Sequence, residues 1–403
     1  MTDRISGHGS ITGLAEEFRI ELDHILSYWH RKSMDHKNGG FLGQIGGDEV
    51  VMDKADKGSV LNARILWTFS AAYNLNKDPL DLEVAKRSFE YFRAHFIDAG
   101  YGGVYWTLDY TGKALDTKKQ IYALSFAVYG LSEFYKATFD DEALQLAKDL
   151  FFEIEDHSYD LVNGGYLEAF SRNWEEIGDL RLSEKDENEK KTMNTHLHIL
   201  EAYTNLYHIW PNEKLKTQIV NLISGFSKHI VNDEHHLNLF FDEFWVSKSK
   251  VISYGHDIEA AWLLQEAALS ISDEQLIAET KLLAVKIAYA ASEGVDDDGM
   301  IYEYNPDTDH LVDEKHWWVQ AEAIVGFFNA WQLTNDEFFL NLCIKIWKYT
   351  KAYIVDGHHG EWFWGRNKDF SLMDGQDKIG LWKCPYHNSR ACIEMIRRIQ
   401  GSE

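Results

Sequence analysis

The chain has 403 residues, with 40 Lys and Arg against 65 Asp and Glu, and a net charge of −25. This charge argues against nucleic acid or an anionic membrane surface as a partner, because binding to phosphates requires clusters of Lys and Arg. The polar start of the chain, the lack of any apolar run of about eighteen residues and only three cysteines without ligand-like spacing predict a soluble, cytoplasmic protein without disulfides.

A short segment rich in glycine and aromatic residues recurs six times along the chain. We call these segments markers 1 to 6, and they comprise residues 38–41, 101–106, 163–166, 238–241, 298–302 and 359–364. Five of the six contain a turn glycine. Most are spaced by about sixty residues, which leaves room for two helices and their connections in each repeat.

An amphipathic stretch precedes each marker, and a more apolar stretch follows it. The amphipathic stretches, with apolar residues at every third or fourth position, are 14–31, 82–96, 142–155, 213–231, 273–291 and 336–354. The apolar stretches are 60–75, 120–135, 194–210, 256–271, 317–333 and 387–399. Pro79 and Pro211 stand just ahead of two amphipathic stretches, where helices begin. We therefore predict an all-α fold, an (α/α)6 barrel of twelve helices in six inner/outer pairs.

One domain over residues 1–403 is expected, because no linker rich in Pro, Gly or Ser divides the chain. An open helical solenoid is the alternative, but it would need polar capping repeats at both ends. The last apolar stretch, with Tyr386 and His387 near its start, does not resemble a cap. The charged segment 171–191 lengthens the third repeat and is either a solvated loop or a lid.

Polar and aromatic residues lie near the starts of all six predicted inner helices, and a closed ring would bring them together. They are Arg64, Tyr122, Asn194, His198, His256, Glu259, Trp262, Trp318, Glu322, His387 and Arg390, with Trp382 just ahead of the last helix. A structural contact between a buried histidine and a glutamate could account for the polar residues of one helix. Polar residues near the starts of all six inner helices indicate a functional site instead. His256 and Glu259 share a helix face, as do Trp318 and Glu322.

The residue types restrict the chemistry. The sequence has no P-loop, no dinucleotide-binding glycine fingerprint and no serine nucleophile motif. A metal is not expected, because His196 and His198 lie on different helix faces and the His235-His236 and His358-His359 pairs lack a second set of ligands. The remaining imidazoles, carboxylates and arginine suit cofactor-free proton transfer beside a carbonyl, with Arg64 or His198 stabilising an enediolate oxygen. The 14 Trp and 20 Tyr suit a sugar site.

At these residues the chain resembles a known family. The stretches 255–262, 316–322 and 382–387 are similar to signatures of cellobiose 2-epimerases, within the N-acylglucosamine 2-epimerase superfamily, and residues 62–64 and 194–198 match as well. The resemblance extends over nearly the whole chain without a departure at a motif position. It implies the (α/α)6 barrel independently of the repeats. It also implies inversion at C2 of the reducing-end sugar of a β-1,4-linked disaccharide such as cellobiose, lactose or mannobiose, without a cofactor.

The resemblance also implies roles for the residues. His256 and His387 would be the acid/base pair on opposite faces of C2, assisted by His198. Arg64, Tyr122, Asn194 and Glu259 would bind the hydroxyls and the enediolate, and Glu322 would make a polar contact to the sugar. Trp318 and Trp382 would stack on the substrate, with Trp262 in support.

Three alternatives stay open. A glycoside hydrolase of this fold would use Glu259 and Glu322 as its carboxylate pair. A sugar-binding protein without activity would need only the aromatic surfaces, but neither reading employs the two histidines. Relatives acting on monosaccharides or N-acylglucosamine, or as aldose–ketose isomerases, are nearer competitors. The sequence leaves open the preferred disaccharide, the direction served by each histidine, any side isomerisation and whether the chain is a monomer or a weak homo-oligomer.

Overall fold

Twelve α-helices dominate the computed structural model, which describes residues 11–401. Six are outer helices: α1 (Ile11–Lys32), α3 (Pro79–Tyr91), α5 (Asp141–His157), α7 (Glu213–Gly225), α9 (Glu274–Ala291) and α11 (Glu337–Tyr349). Six are inner helices: α2 (Ser59–Asn76), α4 (Ile121–Thr138), α6 (Met193–Ile209), α8 (Tyr254–Ile271), α10 (Trp317–Thr334) and α12 (Tyr386–Gln400). Most of the polar start of the chain, where no signal segment is expected, lies outside the described residues.

The inner helices form a closed ring. Each packs against the next, from α2 through α4, α6, α8 and α10 to α12, and α12 packs back against α2. Every outer helix packs on an inner one, α1 on α12 and the others on the inner helix before them. This arrangement confirms the predicted (α/α)6 barrel. No helix between residues 11 and 401 is long and apolar enough to cross a membrane.

Burial separates the two helix sets as their sequence patterns predict. All residues of α4 from Ile121 to Phe134 are buried, whereas α5 buries one face only. A helix that is apolar all round is stable only when other elements surround it. Two glycines allow the inner helices to approach closely, because a Cβ at Gly130 would lie 2.7 Å from the Ala63 carbonyl oxygen and one at Gly326 would lie 2.6 Å from that of Ile258.

Short antiparallel strands join neighbouring repeats at the end of the barrel where the inner helices begin. They are β1 (Ile45–Gly46), β2 (Lys57–Gly58), β3 (Thr107–Leu108), β4 (Ala114–Asp116), β5 (Lys119–Gln120), β6 (Ala169–Phe170), β7 (Lys191–Thr192), β8 (Phe240–Phe241), β9 (Ile252–Ser253), β10 (Val295–Asp296), β11 (Gly299–Met300), β12 (Glu303–Asn305), β13 (His310–Val312), β14 (Lys315–His316), β15 (Gly365–Arg366) and β16 (Asp377–Ile379). The strand before each inner helix pairs with a strand of the next repeat, and β16 pairs with β1. The ring is therefore closed by strands as well as by helices.

Lysine–aspartate pairs with a buried lysine recur at the same end of the barrel. In five repeats a lysine that precedes an inner helix binds an aspartate that follows an outer one. The pairs are Lys57–Asp35 at 2.8 Å, Lys119–Asp98 at 2.9 Å, Lys191–Asp160 at 2.9 Å, Lys315–Asp296 at 2.6 Å and Lys378–Asp356 at 2.8 Å. In the fourth repeat Asn232 and Ile252 stand at these places, so both charges are absent together. Joint loss is expected, because one unpaired buried charge is strongly destabilising.

Marker 4 and three helix ends differ from the prediction. Marker 4 was predicted at residues 238–241, but the turn that has the bridge pairing of the other markers is 234–237. This turn contains no glycine, and His235 adopts the left-handed conformation there, with φ 67°. Helices α3, α7 and α11 end in π-helical turns (Phe92–Phe96, Phe226–Ile230 and Thr350–Ile354), which apolar periodicity does not reveal.

Candidate active site

The N-terminal ends of the six inner helices meet at one end of the barrel, and the predicted site residues lie there. All six helices begin at the end that carries the markers and strands. The N-terminus of a helix carries partial positive charge, and its first N–H groups lack partners within the helix. The fold therefore directs six positive helix ends toward one space, which favours an anionic intermediate.

Arg64 and Tyr122 are in direct contact. Arg64 Nη2 donates a hydrogen bond to the Tyr122 hydroxyl at 2.9 Å. The guanidinium lies 4.1 Å from the centre of the Phe126 ring and 4.8 Å from that of Tyr386. No carboxylate of residues 11–401 pairs with Arg64, and its Nε is buried without a hydrogen bond. Its positive charge is thus available to a bound anion.

Arg390 has the opposite environment, because three buried glutamates surround it. Its Nη1 donates to Glu201, and its Nη2 lies 2.6 Å from Glu259 Oε1 and 2.7 Å from Glu322 Oε1. The guanidinium also lies 4.8 Å from the Trp262 ring. Every partner is at most 4% exposed. Arg390 therefore holds together carboxylates from three helices that would otherwise repel one another.

His387 is oriented by Glu322. Its Nδ1 lies 2.7 Å from Glu322 Oε1, while the other oxygen of Glu322 accepts from Trp262 Nε1 at 3.1 Å. Arg390 and Trp262 can only donate to Glu322, and an ionised Glu322 beside the Arg390 guanidinium accepts at both oxygens. With Glu322 in this form, Nδ1 of His387 carries the proton of their contact. Its Nε2 is then free to accept one. Trp262 is 1% exposed and contacts both Glu322 and Arg390 in the protein interior.

His198 is held in the same way by Glu201. Its Nδ1 lies 3.0 Å from Glu201 Oε2, and its ring meets the edge of Tyr122 at 5.0 Å between centres. The Tyr386 hydroxyl donates to the other oxygen of Glu201. Glu201 thus links His198 on α6 to Tyr386 and Arg390 on α12.

His256 has a hydroxyl partner instead of a carboxylate. Its Nδ1 lies 2.8 Å from Ser253 Oγ. The ring centre lies 4.7 Å from that of Trp318, which also lies 5.7 Å from that of His387. The two predicted acid/base residues are therefore neighbours of one indole, although they lie on helices far apart in sequence.

Burial keeps these histidines neutral at pH 7. It lowers the pKa of His256 to about 3, and the nearby His198 adds to the shift. Burial, with the charges of Arg64 and Arg390, lowers the pKa of His387 well below its usual range. Burial also lowers the pKa of His198 despite its bond to Glu201. For Glu259, burial and the charge of Glu322 raise the pKa.

The remaining predicted residues line the more open part of the space. Asn194, Trp318 and Trp382 are each half-buried. The Asn194 side-chain oxygen is buried and has no hydrogen-bond partner among the described residues. Trp382 lies 6.0 Å from the Tyr122 ring and 5.9 Å from that of Trp106, which sequence reasoning did not include. Indole faces that remain accessible suit stacking on a sugar ring.

Glu259, Glu322 and His387 form one of two groups in residues 11–401 whose ligand atoms could converge on a metal ion, all lying within 4.8 Å of one another. Arg390 already supplies a cation to its two carboxylates. The other group contains Glu49 and Asp356, and Lys378 lies 2.8 Å from Asp356. Because resident cations neutralise both groups, we expect full activity after dialysis against EDTA. Loss of activity that one divalent metal restores would contradict this reading.

Sequence reasoning missed two of the side chains that orient the histidines. Glu201 stands three residues after His198 on α6, a spacing that signals contact but is common in any helix. Ser253 lies just before α8 and carries no signal of its own. Ten of the eleven predicted catalytic and binding residues are nevertheless linked by the contacts given above, and Asn194 is the second residue of α6, the helix that carries His198.

Known proteins resemble the whole of this chain. The model of the N-acylglucosamine 2-epimerase family matches residues 40–391. A cellobiose 2-epimerase of Bacteroides fragilis is 54% identical, over 95% of this chain and 98% of that protein. One from Ruminococcus albus is 41% identical, over 96% and 99%. The structure of cellobiose 2-epimerase from Bacillus thermoamylovorans matches at 39% identity with a TM-score of 0.91, over 96% of this chain and 100% of that one.

These matches confirm the resemblance that the motifs indicated. The matched region of the family runs from marker 1 into α12 and includes every predicted site residue. The chain therefore belongs to the N-acylglucosamine 2-epimerase family and is an epimerase, an enzyme of the isomerase class.

Proposed function

We propose that this enzyme inverts C2 of the reducing-end sugar in β-1,4-linked disaccharides such as cellobiose, lactose or mannobiose. The observation that carries the proposal is the pair of neutral imidazoles, His256 and His387, that flank one half-buried indole, Trp318. Relatives that are 54% and 41% identical to this chain are cellobiose 2-epimerases. The same arrangement fits a reaction that moves a proton and needs no redox group.

The reaction begins with opening of the sugar ring to the aldehyde, in which His198 assists at the sugar oxygens. One imidazole then takes the proton from C2, the electron pair of the broken C–H bond forms a C1=C2 double bond, and the π pair of the carbonyl moves to its oxygen, giving an enediolate. His387 suits this task because Glu322 holds its Nδ1–H and leaves Nε2 unprotonated. Neutral bases are available at pH 7 because burial lowers both histidine pKa values.

The enediolate needs positive charge beside it. Arg64 provides that charge, since no carboxylate among the described residues neutralises it, and the six helix N-termini add to it. The negative charge of the enediolate favours protonation of the second imidazole by water, and this imidazolium gives a proton to the other face of C2. The first imidazole then releases the proton that it took from C2 to water, so both histidines end neutral. Ser253 can donate to or accept from His256 Nδ1, so this histidine is supported in both protonation states.

The paired glutamates do not fit a hydrolase. A glycosidase needs its two carboxyl groups about 5–9.5 Å apart, with the scissile bond between them. Here Glu259 and Glu322 both bind the same nitrogen of Arg390, at 2.6 and 2.7 Å, and each is 1% exposed. A sugar cannot lie between them without displacing the arginine. Mass spectrometry separates the two functions, because hydrolysis splits the disaccharide and epimerisation leaves its mass unchanged.

A disaccharide should be a better substrate than the corresponding monosaccharide. Trp318 and Trp382 lie apart at the open side of the site, and Trp106 extends the aromatic surface beyond Trp382. This is more stacking surface than one ring covers. We expect kcat/KM for cellobiose to exceed that for glucose at least about tenfold, which corresponds to about 1.4 kcal/mol of binding in the transition state. Equal values would place the enzyme with the relatives that act on monosaccharides.

A further inference from the structure

Within residues 11–401, three markers bind an inner helix directly through the same backbone group. In each marker the residue that ends the turn forms a β-bridge with the residue that precedes the turn, and the backbone N–H of this last residue is the donor. In three repeats the acceptor is the fourth residue of the inner helix: His196 for Tyr166 at 2.9 Å, Asp257 for Leu237 at 2.8 Å and Gln320 for Met300 at 3.0 Å. Each of these bonds fixes the start of an inner helix to the turn outside it.

Marker 6 makes this connection through a different residue. The equivalent N–H, that of Trp362, donates to the side chain of its own neighbour Glu361 at 2.8 Å. Glu361 is fully buried and has φ 63°, in the left-handed region. Markers 1 and 2 have Gly40 and Gly103 at this place, with φ 62° and 68°. A glutamate is strained in a conformation that glycine adopts freely, and such strain persists where a function or surrounding contacts maintain it.

The contacts of Glu361 lead to the start of α12. Its Oε1 accepts from Lys383 Nζ at 2.5 Å and from Asn388 Nδ2 at 2.6 Å, besides the Trp362 N–H. Its Oε2 accepts from Trp29 Nε1 on α1 at 2.5 Å. Lys383, Asn388 and Trp29 are all buried. One carboxylate oxygen therefore holds both ends of residues 383–388, the segment that carries His387.

We propose that Glu361 is a positioning residue for His387, acting through Lys383 and Asn388 and not through the substrate. The inference rests on the proposed function, because it assigns to Glu361 the placement of one of the two histidines that exchange the C2 proton. A displacement of about 1 Å in such a group can lower the rate about 10²-fold. His256 is held separately, by Ser253, so a change at residue 361 should affect one histidine and leave the other in place.

Two matched double variants isolate the acceptor oxygen. Glu361→Gly with Lys383→Met restores the glycine of the other markers and leaves no unpaired buried charge. Glu361→Gln with Lys383→Met also removes both charges but keeps an oxygen for Asn388 and the Trp362 N–H. His359→Ala, in the same turn with a half-exposed ring, is the control outside the network. We expect the glycine variant to epimerise cellobiose about 10²-fold more slowly than the glutamine variant, with KM little changed, and the control to match the wild type.

Hydrogen exchange at C2 separates positioning from a general loss of structure. Each histidine alone can remove the C2 proton of one epimer and return deuterium to the same face in heavy water. In the glycine variant, exchange should be lost from the epimer whose C2 proton His387 removes. Exchange should persist in the epimer whose C2 proton His256 removes. Equal exchange losses from both epimers, or equal epimerisation rates in the two double variants, would overturn the role of Glu361. If the wild type itself does not epimerise, the proposed function fails instead.

Discussion

Replacing His387 or His256 with alanine is expected to lower kcat for epimerisation by about 10²–10⁴-fold, the usual contribution of a positioned acid or base. In the proposed mechanism each imidazole acts on one face of C2, so neither can replace the other. The fold should persist, because Glu322 keeps its bonds from Arg390 and Trp262 when His387 is removed. Steady-state assays with cellobiose, alongside thermal melting of each variant, measure both expectations.

The two alanine variants are controls for each other. Each should still exchange the C2 hydrogen of one epimer with heavy water, and the epimer that exchanges should differ between them. This comparison also assigns each histidine to a direction of the reaction. Substantial epimerisation by His387→Ala would remove the two-base mechanism.

For the wild type, the acid limb of the pH profile should lie below pH 6.5, because a lowered pKa keeps each imidazole neutral as the pH falls.

Replacing Arg64 with alanine is expected to lower kcat by about 10²–10³-fold, as loss of a group that stabilises a developing oxyanion does. Its guanidinium is buried among Tyr122, Phe126 and Tyr386 and pairs with no carboxylate of the described chain. Stability should fall less than after loss of Arg390, because the cavity and the unpaired Tyr122 hydroxyl leave no buried carboxylate without its partner. Kinetics and melting curves of the same preparation provide the measurement.

Arg64→Lys is the matched variant, because it keeps a positive charge without the planar guanidinium. It should recover part of the activity that Arg64→Ala loses. An Arg64→Ala enzyme with nearly normal kcat would show that the enediolate is stabilised elsewhere. Removal of Arg390 is expected to lower stability strongly, because it leaves Glu201, Glu259 and Glu322 unpaired. An equally large fall in stability of the Arg64→Ala variant would indicate a structural role for Arg64 instead.

The helices could be predicted because their patterns are local. The inner stretches are apolar all round and the outer ones on one face, and this difference alone separates the two layers. Marker 4 was placed wrongly because its turn uses His235 in the left-handed conformation, where the other markers have glycine. The lysine–aspartate pairs were not foreseen, since their members lie about twenty to thirty residues apart and the lysines look like ordinary surface charges until the fold buries them.

The site was predictable as a set of residues but not as a network. Repeat register places Arg64 and Tyr122 at the same level, and they are in contact in the structure. Register does not show that Arg390 binds three glutamates, nor that a carboxylate orients His387 and a hydroxyl orients His256. These differences depend on side-chain distances across the ring. They distinguish the environments of two histidines that are alike in sequence.

The most direct test of the central claim is proton NMR of cellobiose or lactose incubated with the enzyme in heavy water. In the proposed mechanism one histidine removes the C2 proton and the other delivers a deuteron taken from the solvent. The product should keep its glycosidic bond, have the mannose configuration at the reducing end and carry deuterium at C2. A hydrolase would release monosaccharides, and a ketose-forming isomerase would place the label at C1. Epimer that carries no deuterium at C2 after long incubation would contradict the exchanging two-histidine mechanism.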